Sequence, residues 1–396
     1  VAVRRALRPL AVAASRVLVA CSGGPDSVAL AAATAAVARA LDLPAGLVTV
    51  DHGLQPGSAD RATAVADLGR RLGLHPIRVI RVRVGTAGGP EAAARAARYA
   101  GLAEVAAATG AGYVLLGHTL DDQAETVLLG LGRGSGPRSV AGMRPVDPPW
   151  LRPLLGVRRA ATVGACRAEG LATWADPHNT DPRYTRVRLR QEALPLLEDV
   201  LRGGVAEALA RTATLLREDL DALDAEAGRV AAAVTLPPGD LVTAPPGAPP
   251  RGPTPPPGVP TPPPGAPPRT PPPGVPTPPP GVLTPPPGVP TPPVDPAAGP
   301  AAEPNGSPEL PAALAAAALD AAALDAAALA EHPTAVRTRV LRGWLAGIGV
   351  GPLTSAHLDA LDALVSSWHG QGPVGLPGGL AAYRRHGRLH LGRPAG

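Results

Sequence analysis

Three short stretches hold residue types that can act on a nucleotide. The first is Cys21–Leu30, "CSGGPDSVAL", which follows the apolar run Arg16–Ala20, "RVLVA". Consecutive glycines (Gly23, Gly24) and Pro25 between a buried strand and a helix leave backbone N–H groups and the positive helix end open to an anion. Ser22 and Ser27 add hydroxyl donors, and Asp26 adds a carboxylate able to bind a metal or orient a nucleophile. This is not the GxxxxGK[ST] loop, which needs a Lys on the β- and γ-phosphates. The chain has no Lys: all 37 of its Lys-or-Arg residues are Arg. The second stretch is Gly117–Gly136, "GHTLDDQAETVLLGLGRGSG", with His118, the adjacent carboxylates Asp121 and Asp122, and Glu125 a helical turn on. Acidic groups there either cap a helix or serve a magnesium–nucleotide site. The third is "DHG", Asp51–Gly53, where His52 is either a ligand contact or an ordinary loop histidine.

These loops need elements to hold them. Apolar β-type runs begin at Arg16 ("RVLVA"), Gly46 ("GLVTV"), Ile77 ("IRVIRVRV"), Tyr113 ("YVLLG") and Leu171 ("LATWA"). Helical stretches start near Ser27, Ser58, Pro90, Asp122 and Val157 between and after them. Short, nearly continuous apolar strands alternating with helices specify an α/β fold, a doubly wound parallel sheet covered on both faces. Ligands in such sheets sit at the carboxyl ends of the strands, so the loops after strands one, two and four share one edge.

From Asp181 to Val234 the pattern turns helical, and from Leu236 to Pro311 near-repeats of "TPPPGVP" dominate. Proline lacks the N–H donor and fixes φ, so this run is expected to be polyproline-II or disordered. A surface loop expanded by slippage is preferred over a docking peptide for a partner. In "LAAAALDAAALDAAALAEHP" the leucines Leu314, Leu319, Leu324 and Leu329 rotate around a helix instead of forming a stripe, which reads as further low complexity. Amphipathic helices resume in "TAVRTRVLRGWLAGIG" and "SAHLDALDALVSSW", followed by short β-like pieces. The expected organisation is a nucleotide-binding domain over residues 1–185, the first part of a smaller, mostly helical substrate domain over 186–235, a disordered insert over 236–311, and the rest of that domain over 312–396.

Composition sets bounds. Hydrophobic residues make up 45% of the 396, yet with no Phe, four Trp and four Tyr the core must be built from Ala, Val and Leu. A net charge of +5 is compatible with a nucleic-acid or other anionic partner, although from charge alone a codon bias toward Arg is the preferred reading. Cys21 and Cys166 fit no CxxC or zinc spacing. No segment has the length and apolarity of a membrane span or a secretory leader, so the expectation is a cytoplasmic protein without membrane contact.

"SGGPDS" resembles the PP-loop signature SGGxDS of the N-type ATP pyrophosphatases, which cleave ATP between the α- and β-phosphates to adenylate a substrate. Within that superfamily the chain resembles the tRNA(Ile)-lysidine synthetases. The resemblance rests on "DHGLQPGS", "EAAARAARYAGL" (Glu91–Leu102), "GHTLDDQAETVLLGLGRGSG", "AGMRP" and "DPHNTDPRYTRVRLR" (Asp176–Arg190), in order across about the first 190 residues. Gln55 and Gly130 stand where many relatives carry Arg.

The resemblance implies a Rossmann-like PP-loop domain, ATP as co-substrate, Mg²⁺, free L-lysine, and a tRNA(Ile) with the anticodon CAU. The wobble cytidine would be adenylated on its 2-oxo group and then attacked by the lysine amine. Ser22, Gly23, Gly24, Pro25, Asp26 and Ser27 would hold the phosphates, with Asp51, His52, Gly117 and His118 also around ATP. Asp26, Asp121 and Asp122 are the candidate catalytic carboxylates, Asp121 also the candidate metal ligand. The acidic pair is open to three roles: binding Mg²⁺, stabilising the lysine ammonium, or accepting its proton. Arg95, Arg98, Arg186, Arg188 and Arg190 are candidates for tRNA contact, ordinary solvated arginines being the alternative at each. Oligomeric state is left open, a homodimer included. Two rivals remain. RNA-thiolating PP-loop enzymes need a cysteine set this chain lacks, and a non-catalytic ATP-binding protein would have no use for an intact acidic pair.

Overall fold

The apolar runs Arg16–Ala20 (β1), Ala45–Asp51 (β2), Ile77–Arg81 (β3) and Ala111–Leu115 (β4) pair in parallel, with β1 at the centre. Two short strands, Val146–Asp147 (β5) and Trp150–Leu151 (β6), complete a six-stranded sheet in the order β3-β2-β1-β4-β6-β5. Only β5 runs antiparallel, hairpinned to β6. The computed structural model describes residues 1–12, 15–51, 57–82, 85, 90–134, 136–176, 180–236 and 323–392. His52 and the proline-rich tract lie outside the described residues. The chain divides into two compact units, Val1–Ala225 and Glu226–Gly396.

Alternation along β1 shows why the sheet must be covered twice. Val17 and Val19 join Val28, Leu30, Leu47, Val65 and Leu68 on one face. Helices Ala2–Val12 (α1), Pro25–Ala40 (α2) and Ser58–Leu72 (α3) supply that side. Leu18, between the two valines, points the other way and packs with Val48, Val114, Leu102, Val105 and Ala106 under Pro90–Thr109 (α4). A strand with both faces buried is apolar throughout, and the expected doubly wound parallel sheet is present.

The expected strand "LATWA" is absent: residues 171–176 are irregular. The fifth parallel position is taken by β6, where Leu151 pairs with Leu115. The reason is local, because the Trp174 N–H donates to the Gly23 carbonyl oxygen (2.9 Å) and this segment covers the glycine turn instead of joining the sheet.

After β4 come Leu120–Gly132 (α5), Pro137–Val140 (α6) and Arg159–Ala168 (α7). Thr185–Arg188 (α8) runs through a π turn, Leu189–Ala193, into Leu194–Val200 (α9), and then Val205–Val234 (α10). In the second unit Leu324–Asp325 (β7) joins Val374–Leu376 (β8), Leu380–Arg385 (β9) and Arg388–Gly392 (β10) in an antiparallel sheet ordered β7-β10-β9-β8. Ala326–Ala330 (α11), Thr334–Gly347 (α12) and Ser355–Ser366 (α13) accompany it. Leu324 and Leu329 are fully buried, so the end of the alanine-leucine tract is folded core and not low complexity. Arg337 on α12 and Asp362 on α13 form a two-pronged ion pair, 2.7 Å on each prong.

Leu18 and Leu131 give a matched test of this packing. Leu18→Ala, at a fully buried site, is expected to cost ~2–5 kcal/mol, and Leu131→Ala, 54% exposed, less than ~0.5 kcal/mol. Urea midpoints followed by circular dichroism measure both. Equal midpoints would contradict a core centred on β1.

Candidate active site

The turn after β1 is built largely by one hydroxyl. Ser27 Oγ donates to the Gly24 carbonyl oxygen (2.9 Å) and accepts from the Ser22 N–H (3.1 Å), so it folds the turn back on itself. Gly23 sits at φ +88°, a region L side chains rarely adopt. Pro25 begins α2 and Asp26 lies in its first turn, favoured placements for a fixed φ and for an anion. The second glycine that matters is Gly117, just past β4. A Cβ there would lie 3.1–3.2 Å from the backbone of Asp26 and Ser27, so glycine lets the end of β4 approach the first turn of α2 without displacing it. On the other side, the Arg61 guanidinium stacks 4.1 Å from the Trp174 ring centroid.

The acidic pair begins α5. Thr119 and Asp122 form a reciprocal cap: Asp122 Oδ2 accepts from the Thr119 N–H (2.8 Å) and hydroxyl (2.9 Å), while Thr119 Oγ1 accepts from the Asp122 N–H. Capping does not use up the carboxylate, because one oxygen of Asp122 makes the cap and the other is left for a second contact. Asp122 Oδ1 faces the site and accepts from Arg159 Nη2 (2.6 Å). Arg159 Nε donates to Asp26 Oδ2 (3.0 Å), and the Arg159 backbone N–H donates to Asp121 Oδ2 (2.7 Å). Thr162, one turn along α7, donates to Asp26 Oδ1. All three candidate carboxylates therefore converge on one residue.

Electrostatics follow from that convergence. Burial alone would raise the Asp122 carboxyl, but Arg159 and the Thr119 N–H outweigh it and hold the group below the ordinary carboxylate value. Burial likewise disfavours the Arg159 cation, yet Asp122, Asp26 and Glu125 push it above its usual value. Arg158, the N-cap of α7, lies between Asp121 (3.4 Å), Glu207 (3.3 Å) and Glu198 (3.7 Å). Glu198 in turn accepts from the Val205 and Ala206 N–H groups that open α10 (3.0 and 3.1 Å).

One turn beyond the pair, Glu125 is fully buried and takes a two-pronged grip from Arg190, 2.7 Å to Nε and 3.1 Å to Nη2. Burial raises the Glu125 carboxyl, and Arg190 only partly offsets it. Arg186 approaches the same carboxylate (3.8 Å) and reaches Thr126, whereas Arg188 turns to solvent and pairs with Glu192. On α4, the Arg95 guanidinium lies 4.9 Å and that of Arg98 5.8 Å from the Tyr99 ring centroid, which meets Trp150 edge-on. His118 is pushed down to about 4 by burial, with Arg152, Arg95 and Arg98 also opposing its charge, so the imidazole is neutral at pH 7. Asp51 ends β2 with Arg81 3.8 Å away.

The structure thus gathers Ser22–Ser27, Gly117, Asp121, Asp122 and, through Glu125, Arg186 and Arg190. It does not bring Arg188 to the carboxylates. Arg159, Thr162 and Trp174 were missed from the sequence. The signal for Arg159 was available: three carboxylates at one sheet edge need a cation, and "LLGVRR" follows directly on the next strand.

A parallel sheet whose strand order reverses beside a glycine turn, with carboxylates at the same edge, defines a PP-loop domain, the class that uses ATP. Residues 2–197 match the family model described as the PP-loop domain, and residues 324–390 match the TilS substrate binding domain. The tRNA(Ile)-lysidine synthase of Thermobifida fusca (strain YX) is 48% identical over 99% of this chain and 94% of its own. That of Salinispora arenicola (strain CNS-205) is 44% identical over 99% and 95%, and that of Mycobacterium bovis 45% over 94% and 89%. The chain belongs to the tRNA(Ile)-lysidine synthase family, tRNA-modifying ligases that form a carbon–nitrogen bond. Among the described residues no helix is long and apolar enough to cross a membrane.

Two measurements probe the charges. His118 is depressed from 6.5 to about 4, so between those values the unfolded chain binds the extra proton and stability falls as pH falls. His118→Gln should flatten that part of the pH–stability curve, read as urea midpoints from pH 7 to 4; an unchanged slope would refute it. Arg190→Met strands a buried carboxylate and should cost ~3–5 kcal/mol at neutral pH. Glu125 is raised above 4.5, so the folded state holds its proton more tightly and acidification favours folding. The loss should therefore shrink towards pH 5, and a pH-independent loss would contradict this.

Proposed function

We propose that this chain joins free L-lysine to C2 of the wobble cytidine in a CAU-anticodon tRNA(Ile). The products are lysidine, AMP and pyrophosphate, and decoding switches from AUG to AUA. The observation that carries this reading is the meeting of Asp26, Asp121 and Asp122 on Arg159 beside the glycine turn, in a chain of this family.

An oxo group leaves poorly, so the cytidine O2 first attacks the α-phosphorus of ATP and pyrophosphate departs. The lysine amine then adds at C2 and AMP departs, replacing one difficult displacement by two easier ones. The N–H groups of the Ser22–Ser27 turn and the start of α2 hold the β- and γ-phosphates. Asp51, Gly117 and His118 border the nucleotide, His118 as a neutral hydrogen-bonding group. Lysine arrives as an ammonium and must lose a proton before attack; an ionised Asp122, depressed by Arg159, is the assigned partner for that ammonium. Arg95, Arg98, Arg186 and Arg188 are assigned to tRNA phosphates, while the Arg190 fork is already committed to Glu125.

The carboxylate oxygens suit Mg²⁺, which commonly takes one or two carboxylates and completes its shell with phosphate oxygens and water. Among the described residues no group of three His, Cys, Asp or Glu is arranged to hold a metal by itself. Asp121, whose Oδ1 has only the 3.4 Å contact with Arg158, is the assigned ligand. When bound, the ion would neutralise phosphate charge.

Nucleoside mass spectrometry of a CAU-anticodon tRNA incubated with protein, ATP and lysine tests the reaction, with lysidine the expected product and its absence the refutation. Single-turnover assays then separate the steps. Asp122→Asn should let pyrophosphate form while lysidine formation falls at least about a hundredfold, the usual scale of a lost general base. Asp121→Asn should block both products. Normal rates of both in both variants would remove the pair from the chemistry.

A further inference from the structure

The adenylation step assigned above releases a highly charged pyrophosphate, and the chain contains no lysine side chain to meet it. Four arginines flank the turn and the acidic residues. Arg190 is held two-pronged by Glu125, Arg158 is divided among Asp121, Glu198 and Glu207, and Arg61 lies over Trp174. Arg159 differs from them. Its Nε and Nη2 each hold one carboxylate of the site, and its Nη1 is buried with no hydrogen-bond partner among the described residues. A buried guanidinium N–H group without an acceptor is costly, and it is suited to an acceptor delivered by a ligand.

Its position is fixed from two sides. Arg159 is the first residue of α7, which packs on α2, the helix that leaves the glycine turn; Cys166 Sγ donates to the Pro25 carbonyl oxygen (3.3 Å) and Thr162 donates to Asp26. The guanidinium is thereby held next to Asp26, within the turn that faces the phosphates. Charge sets the direction of exchange. Asp26, Asp121 and Asp122 already surround this cation, and a triphosphate brings further negative charge to the same place. Phosphate oxygens compete with carboxylates for an arginine fork, which fits both in two-pronged geometry.

We propose that Arg159 grips the departing pyrophosphate, giving up carboxylate contacts for phosphate oxygens as ATP enters. This rests on the reading of the site as an ATP-adenylating centre. Arg159 offers hydrogen bonds and positive charge to the β- and γ-phosphoryl oxygens; the bond broken is that between the α-phosphorus and the bridging oxygen, whose electrons leave with pyrophosphate. In the free protein the same side chain holds Asp26 and Asp122 together, so it serves as their counter-ion before it serves the leaving group.

The test is calorimetric titration of inorganic pyrophosphate, and separately of AMP, into the full-length protein without added metal. Wild type, Arg159→Met and Arg159→Lys are compared, with circular dichroism to establish folding. Arg159→Met should weaken pyrophosphate binding at least tenfold and AMP binding less than twofold, because AMP lacks the leaving group. Arg159→Lys, which keeps the charge and loses the fork, should fall between. If the Met variant fails to fold, the Lys variant decides alone: weaker pyrophosphate binding with unchanged AMP binding supports the assignment, and unchanged pyrophosphate binding overturns it. Equal losses for both ligands, or a wild-type protein that binds AMP but no pyrophosphate, also overturn it. These outcomes are separate from the lysidine assay, since a wild-type chain that makes lysidine while Arg159→Met binds pyrophosphate normally defeats only the Arg159 assignment.

Discussion

The convergence of three carboxylates on Arg159 is the constraint around which the first unit is arranged. Like charges this near one another repel, and they would push the elements that carry them apart without a cation among them. One guanidinium prevents that by donating sideways to Asp26 and Asp122, while its backbone N–H takes Asp121. The elements that carry these groups come from three separate crossovers of the sheet. Their start points can meet only because β1, β4 and β6 lie side by side with their carboxyl ends together.

Closeness of that order is bought with small residues. Gly117 lets the end of β4 touch the backbone of Asp26 and Ser27, and Ser27 shapes the turn by bonding to the turn's own carbonyl. Ser27 is therefore a structural clasp of the turn. The cap of α5 has a double character: Thr119 fixes one oxygen of Asp122 and leaves the other turned to the site.

The sheet was legible because its central strands, buried on both faces, are written as unbroken apolar runs, and the glycine turn because Gly-Gly falls between such a run and a helix start. "LATWA" misled because its apolar, aromatic and β-branched composition suits a strand, whereas in the structure its residues are half-buried or exposed and its backbone is engaged elsewhere. Here the partner is the Gly23 carbonyl and not a neighbouring strand. The hairpin of β5 and β6 was too short to leave a periodicity, two residues on each side. The alanine-leucine tract misled in the opposite way. Its five-residue spacing matches no helical stripe, but Leu324 belongs to a strand and Leu329 to the following helix, so no single period applies. Arg159 was hidden because an arginine at a helix start carries no pattern of its own; its meaning comes from carboxylates 37 and 133 positions away.

The double arginine at the start of α7 has a mechanical side as well. Arg158 shares itself between Asp121 and the two glutamates at the root of α10, and one of those, Glu198, holds the first N–H groups of that helix. At 1.5 Å per residue, the 30 residues of α10 form a rod of about 45 Å that carries the chain from one compact unit into the next. Arg158 is the rivet at its foot: one guanidinium ties Asp121 both to the glutamate that caps the start of the rod and to Glu207 on the rod itself.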